Sequence, residues 1–334
     1  MNPQTEKRKA EHVRIALSED IEYMTKSSGF DAVDFVHCSL PETDFKEIDV
    51  TASFLGKKFS SPFMVSSMTG GYADAEKINK DLAAACEKAG IGLGLGSQRA
   101  MLEDPSLKKT FYVRDVAPKT FLGANIGAVQ LRDYGVKKIE SMVSAVEADA
   151  LFVHLNPLQE AVQPEGDRNW TGCLAAIAKA CSQLTVPVVA KETGAGISGE
   201  VAKELVAAGV KAVDVSGAGG TSWSAIELYR KGAAAGRAFW DWGNPTVECL
   251  RECSAAVKVP IIASGGVRSG LDAAKAIRLG ASLASAALPF IKAQQAGGEK
   301  AAGAEIARFT GELKMAMFLT RSKNLAQLRK ARLL

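Results

Sequence analysis

The sequence predicts an α/β fold, a closed (β/α)8 TIM barrel with an N-terminal extension and C-terminal helices. Three observations predict it. Apolar runs of strand length recur eight times from Pro62 onward, Ala-rich helical segments separate most of them, and seven run ends turn from apolar to hydrogen-bonding residues. Strands alternating with helices pair in parallel through right-handed crossovers. Eight such units in a chain of this length close into a barrel. A doubly wound sheet would require a dinucleotide fingerprint after the first strand. Ser66-Ser67-Met68-Thr69-Gly70-Gly71 is not one, and the run Gly92, Gly94, Gly96 has no acidic residue at the ribose-binding distance.

The chain divides into residues 1–60, an N-terminal helix and small hairpin or lid region, and residues 61–334, the barrel with its C-terminal helices. The first 30 residues are polar and helical in pattern, and Arg8 and His12 share one helix face. The alternating run at 45–50 reads as part of the hairpin or lid. The eight strand runs fall at 62–66, 90–95, 120–126, 148–155, 186–191, 211–216, 259–264 and 282–288. Helical segments at 73–89, 172–183, 198–208 and 271–279 lie between them. The basic tail after Pro289 reads as helix that closes the barrel or meets a neighbouring subunit.

Apolar content of 47% and charged content of 23% suit a chain with a large core, and the net charge is only +4. Lys and Arg are scattered, which excludes nucleic acid as the main partner and suits an anionic small molecule. No apolar stretch approaches the roughly 18 residues of a membrane span. The amino terminus lacks the apolar core of a signal peptide, so a cytoplasmic address is expected. Six cysteines form no C-x-x-C pair, and Cys249 and Cys253, one helical turn apart, read as core residues.

In such a barrel the active site lies at the carboxyl ends of the strands. Two anion sites are legible there. Gly265-Gly266-Val267-Arg268 joins a strand to a helix beginning near Ser269, with glycines for close approach and an arginine for bidentate contact. Barrels of this type hold phosphate after strands seven and eight. The small residues Ser285-Ala286-Ala287 and the glycine nest from Ser216 to Thr221 extend this wall. The second site collects Arg99, Gln159 and Glu160, with Arg8, Lys9 and His12 folding over it. A lone carboxylate among basic and amide groups suits Mg²⁺ shared with substrate phosphates; the alternative is an ion pair of Glu160 with Arg99 or Arg168. Lys191 ends a strand at the barrel mouth, either as a Schiff-base former or as a fixed cation beside a flavin. Thr69, Asn125 and the phosphate walls favour the larger bound molecule.

These residues carry a resemblance. Arg8-Lys9 with His12, Met68-Thr69-Gly70-Gly71, Gly96-Ser97-Gln98-Arg99, the block from His154 to Glu160 and Lys191-Glu192 resemble the type 2 isopentenyl-diphosphate isomerases. The block from Val215 to Trp223, Trp242-Gly243-Asn244-Pro245-Thr246 and the turn from Ser264 to Arg268 do so as well. The resemblance runs from residue 8 to about 290 in the family's order, although Asn244 stands where a more apolar residue is expected. It implies FMN active in its reduced form, Mg²⁺, NADPH as reductant and interconversion of isopentenyl and dimethylallyl diphosphate. FMN contacts are implied for Ser67, Met68, Thr69, Ser97, Asn125, Lys191, Ser216, Thr221, Gly265, Gly266, Val267, Arg268, Ala286 and Ala287. Arg8, Lys9, His12, Ser97, Gln98, Arg99, His154, Asn156 and Gln159 are implied to surround the substrate, and Glu160 to hold the metal. A homo-oligomer, commonly a tetramer, is also implied.

The expected function is therefore an FMN-dependent isomerase of isoprenoid biosynthesis. No carboxylate is free both to add and to remove a proton, since Glu160 is given to metal and Glu192 to orienting Lys191. The resemblance implies that flavin N5 handles the protons. A 2-hydroxy-acid oxidase or dehydrogenase on the same barrel would need a general-base histidine late in the barrel. The histidines are His12, His37 and His154. A flavin-binding protein without catalysis is the third reading, and it would not require a metal carboxylate, a lysine and an arginine facing one another.

Overall fold

A computed structural model describes residues 3–232 and 234–334. The amino-terminal helix Pro3–Ser18 leads to an irregular strap over 19–29 and a short antiparallel hairpin, β1 (Ala52–Phe54) and β2 (Lys57–Phe59). Eight parallel strands follow: β3 (Phe63–Val65), β4 (Gly92–Gly94), β5 (Leu122–Gly127), β6 (Ala150–Leu155), β7 (Val188–Glu192), β8 (Ala212–Asp214), β9 (Ile261–Ala263) and β10 (Leu283–Ala286). They pair in sequence order, and β10 returns to β3, so the sheet has no edge. Each strand lies within its predicted run or ends one residue beyond it.

Because side chains alternate across a strand, each strand feeds two cores. Outward residues such as Val65, Val153, Val213 and Ala263 pack beneath the surrounding helices, against Leu82, Ile177, Leu205 and Ile277. Inward residues Met64, Phe152, Val189, Ala212, Ile262 and Leu283 form a second, smaller core on the barrel axis. Helix starts follow the local chemistry: the Ser198, Ser222 and Ser269 side chains accept from the N–H groups of Val201, Ala225 and Asp272. The long helix Leu288–Leu319 packs on the helix Ala75–Ala89 and bends at Gly297–Gly298. No described helix is long and apolar enough to cross a membrane.

The hairpin lies within the amino-terminal region expected to hold one, but not at the run 45–50, which contains a 3₁₀ turn, Phe45–Glu47, capped by Asp44, and a lone bridge from Asp49 to Asn324. The hairpin sits later because its turn needs two residues with positive φ, and Leu55 (46°) and Gly56 (82°) adopt it. Nor is it a lid over the strand ends. Phe54 and Phe59 enter the axial core with Phe121, Met64 and Phe152, plugging the amino end of the barrel. Phe54→Ala is expected to cost about 3–5 kcal/mol of stability. Urea unfolding measures this, and the folded fraction should keep its ligand affinity because the plug lies at the end opposite the ligand cavity.

Candidate active site

The axial core ends abruptly. Two positions beyond Phe152, Val189, Ala212, Ile262 and Leu283 stand His154, Lys191, Asp214, Ser264 and Ser285. One step along the same inward-facing row therefore turns the barrel from apolar packing to a polar floor. Lys191 Nζ donates to Asp214 Oδ2 (2.8 Å) and to Ser264 Oγ (3.2 Å), and Ser264 Oγ donates to Asp214 Oδ1 (2.5 Å). His154 Nδ1 lies 2.8 Å from Asn125 Oδ1, while Asn125 Nδ2 donates to Ser67 Oγ (3.2 Å). The Asn125 oxygen thus accepts, which puts the imidazole proton on Nδ1 and leaves the Nε2 lone pair free. Burial, reinforced by the charges of Lys191 and Lys9, lowers the His154 pKa from 6.5 to about 4, so the ring is neutral at pH 7.

One cavity opens above this floor, and the amino-terminal helix roofs it. Arg8, Lys9 and His12 hang from that helix into the cavity. Lys9 Nζ donates to the Ser97 carbonyl at 2.6 Å. Burial and the neighbouring charges of Arg8 and Arg99 lower its pKa to about 7. His12 Nε2 lies 2.9 Å from Glu227 Oε1, with the Trp223 ring edge-on to the imidazole. The Gln163 amide, in the orientation that satisfies both its ends, accepts from Arg8 Nη1 (3.0 Å) and donates to Glu227 Oε1 (3.1 Å). Glu227 also accepts from Arg230 Nε (2.7 Å) and Gln159 Nε2 (3.4 Å). Its side chain is fully buried; burial pushes its pKa up, but the bonds from His12 and Arg230 outweigh that and hold it low. One buried carboxylate thereby ties the roof helix to the helix Trp223–Lys231.

All but one of the predicted site residues line this cavity. Ser67, Met68, Thr69, Ser97, Asn125, Ser216, Thr221, Gly265, Gly266, Val267, Arg268, Ala286 and Ala287 form its floor and one wall. Arg99, His154, Asn156, Gln159 and Glu160 form the opposite side. Gln98 is the exception. It is buried in the barrel wall, where its Oε1 accepts from the Asn125 N–H (3.0 Å), so it supports Asn125 and does not reach a ligand. Glu192 is a second correction, for it does not orient Lys191. Adjacent strand residues face opposite ways, and Glu192 Oε2 instead accepts from four successive N–H groups, Thr193 to Gly196. Glu160 pairs with neither Arg99 nor Arg168. Arg99 is engaged by Glu103 (2.8 Å) and Asp167 (3.6 Å), and Glu160 accepts from Asn156 Nδ2 and the Asp167 N–H. Asn244 is exposed and lies off the cavity.

The glycine wall suits an anion. A Cβ on Gly220 would stand 2.5 Å from the Gly266 nitrogen, so these two loops meet with no room for a side chain. The Gly266 N–H donates to no other group among the described residues. Arg268 borders the wall, but its guanidinium is turned to Glu22 Oε1 (2.7 Å) on the strap. Thr69 Oγ1 and Ser285 Oγ line the cavity, buried, with no protein partner among the described residues. Two orphaned hydroxyls, a lysine donor and a bare glycine wall fit a large polar ligand that carries a phosphate.

A family model described as FMN-dependent dehydrogenase matches residues 137–334. Curated relatives bear the name isopentenyl-diphosphate delta-isomerase. That of Methanosarcina acetivorans is 48% identical over 97% of this chain and 90% of its own. That of Pyrococcus furiosus is 47% identical over 97% and 85%, and that of Nostoc sp. is 46% identical over 98% and 95%. The chain belongs to the isopentenyl-diphosphate delta-isomerase family. Among solved structures, a Pediococcus acidilactici lactate oxidase superposes with TM-score 0.72 at 16% identity, covering 99% of this chain and 92% of that one. A mandelate oxidase gives 0.70 at 18% identity, covering 99% and 97%. These likenesses show the barrel alone.

Polar residues of this site that the sequence does not single out include Asp214, Gln163 and Glu227, and Gln130 and Thr193 on the cavity lining. Asp214 had a signal, since it stands two positions beyond an inward alanine. Glu227 had none, because its partner His12 is 215 residues away. The neutral His154 has a measurable consequence. The unfolded chain binds a proton there below pH 6.5 and the folded chain only below about 4. Stability is therefore expected to fall by about 3 kcal/mol as pH drops from 6.5 to 4, then level off. Urea unfolding of the ligand-free protein across that range, with His154→Asn as reference, measures it; parallel profiles for the two proteins would contradict the assignment.

Proposed function

We propose that this protein interconverts isopentenyl and dimethylallyl diphosphate, with FMN on the strand ends and the diphosphate under the amino-terminal helix. The observation that carries the reading is the division of one cavity into two chemistries. Its floor has glycine, hydroxyl and lysine groups suited to a phosphate-bearing cofactor. Its roof has arginine, lysine, histidine and amide groups suited to a diphosphate.

Reduced FMN, when bound, would supply a proton-carrying nitrogen, N5, beside the alkene. The chain's own groups bind, orient and exclude water. Arg8, Lys9 and Arg99 neutralise the diphosphate, with His12, Gln159 and Asn156 as further hydrogen-bonding groups. Lys9, whose pKa lies near 7, gains its full charge when the anion arrives. Glu160 would anchor Mg²⁺ on the diphosphate oxygens. It is tied by only one bond to each oxygen, and a carboxylate has about four acceptor positions. Neutral His154 offers the Nε2 lone pair within the cavity. None of the four carboxylates nearest the site is free to move a proton at carbon, Asp214 being taken by Lys191 and Ser264. Glu227 is spent on its four partners, Glu192 on backbone N–H groups and Glu160 on the metal. The same reading carries NADPH as reductant and a homo-oligomer, in particular a tetramer, both resting on the resemblance described above, and takes the cytoplasm as compartment.

Isomerisation transfers no net electrons, so one reduction should support many turnovers. The test is to photoreduce the FMN-loaded protein without air, add isopentenyl diphosphate and Mg²⁺, and follow product and flavin spectrum together. Continued dimethylallyl product over a persistently reduced spectrum is the expected result. One flavin reoxidised per product, or activity of the oxidised form alone, would refute the reading. Glu160→Gln is expected to retain FMN and lose Mg²⁺-dependent turnover, read by a Mg²⁺ titration of activity. Arg268→Ala should weaken FMN by about 1.5–3 kcal/mol, measured as the FMN dissociation constant, because the guanidinium, here paired with Glu22, would turn to the phosphate as its charge-assisted partner.

A further inference from the structure

The floor of the cavity holds a buried ion pair that no reading of Lys191 alone accounts for. Lys191 and Asp214 are register partners on β7 and β8, and their side chains are 7% and 2% exposed. Ser264, beyond the carboxyl end of β9, closes the set by accepting from Lys191 and donating to Asp214. An ammonium has three protons. Asp214 and Ser264 take two of them, which leaves one N–H for the cavity that Lys191 lines. On the other side of Lys191, its register partner on β6 is His154, which is uncharged at pH 7. The carboxylate therefore balances the ammonium locally, and the floor presents a fixed dipole with one aimed donor where a bare cation was expected.

We propose that Asp214 is a positioning residue that fixes Lys191 as a single donor to the flavin ring and cancels most of its charge. This rests on the FMN-binding reading above. A charge next to a redox-active ring acts through a low-dielectric floor, where it is felt strongly. The carboxylate opposes added negative charge on the ring and the ammonium favours it. Removing Asp214 should make the bound flavin easier to reduce; removing Lys191 should make it harder.

The test compares the full-length FMN-loaded protein with Asp214→Asn, Lys191→Met and the double variant, by midpoint potential against reference dyes and by the spectrum of the reduced form at one pH. Removing both partners leaves no unpaired buried charge, so the double variant keeps the comparison available if a single one does not fold. The expected order of potentials is Asp214→Asn highest, Lys191→Met lowest and the double variant between them. The reduced Asp214→Asn spectrum should also move toward the anionic form. A merely structural Asp214 would lower the folded fraction without moving the potential of the protein that remains. Equal potentials in Lys191→Met and the double variant, or a wild-type potential in Asp214→Asn, would overturn the inference. A wild-type chain that takes up no FMN would overturn the functional reading and this inference together, and that result is distinct from the others.

Discussion

A closed sheet whose residues alternate strictly inward and outward governs this molecule. Closure leaves no edge, and alternation gives every strand one row of side chains on the barrel axis. In that row the lower layer is Met64, Phe152, Val189, Ala212, Ile262 and Leu283, and the next layer is polar. A one-residue slip of any strand would turn its polar residue into the helix layer and its apolar residue onto the axis. Fold register and site chemistry are thus set by the same alternation, and neither can drift without the other.

The roof is fixed by a different device. Four groups from three parts of the chain, His12, the neighbouring Gln159 and Gln163, and Arg230, converge on the single buried carboxylate of Glu227. Removing one partner of such a network leaves a buried charge short of bonds, which costs more than the bond itself is worth. Burial, together with the nearby charges of Arg8 and Arg99, holds the Lys9 pKa near 7, and Glu227 keeps the roof assembled before any anion reaches it. The helix Pro3–Ser18 is polar overall, and its position depends on these bonds together with the packing of Val13 and Leu17 on the main core and of Ile15 on Ile226 and Trp240.

The barrel was legible in the sequence because its signals are local. Runs such as 148–155 and 186–191 are apolar on both faces, end at hydrogen-bonding residues and alternate with Ala-rich helices. The cavity wall was legible for the same reason, since strand ends and glycine turns mark it directly. What escaped depends on distance in sequence. Glu227 looks like any acidic residue on an amphipathic helix until His12 is placed beside it. Gln98 and Glu192 were misread for a subtler reason. Both adjoin true cavity residues, Ser97 and Lys191, and adjacent positions face opposite directions. Within the amino-terminal region the alternating run at 45–50 is not a hairpin strand, because alternation alone does not close a hairpin and Leu55-Gly56 supplies the turn that does.

The aromatic plug at the amino end of the barrel has a consequence for how ligands share the other end. With Phe54, Phe59 and Phe121 filling that end, the cavity lies at the carboxyl ends of the strands, beneath the helix that carries Arg8, Lys9 and His12. On the proposed reading, whatever rests on the floor lies behind whatever binds beneath the roof. Floor and roof then share one vestibule, and a diphosphate beneath the roof would cover the face of the cofactor that looks away from the barrel axis.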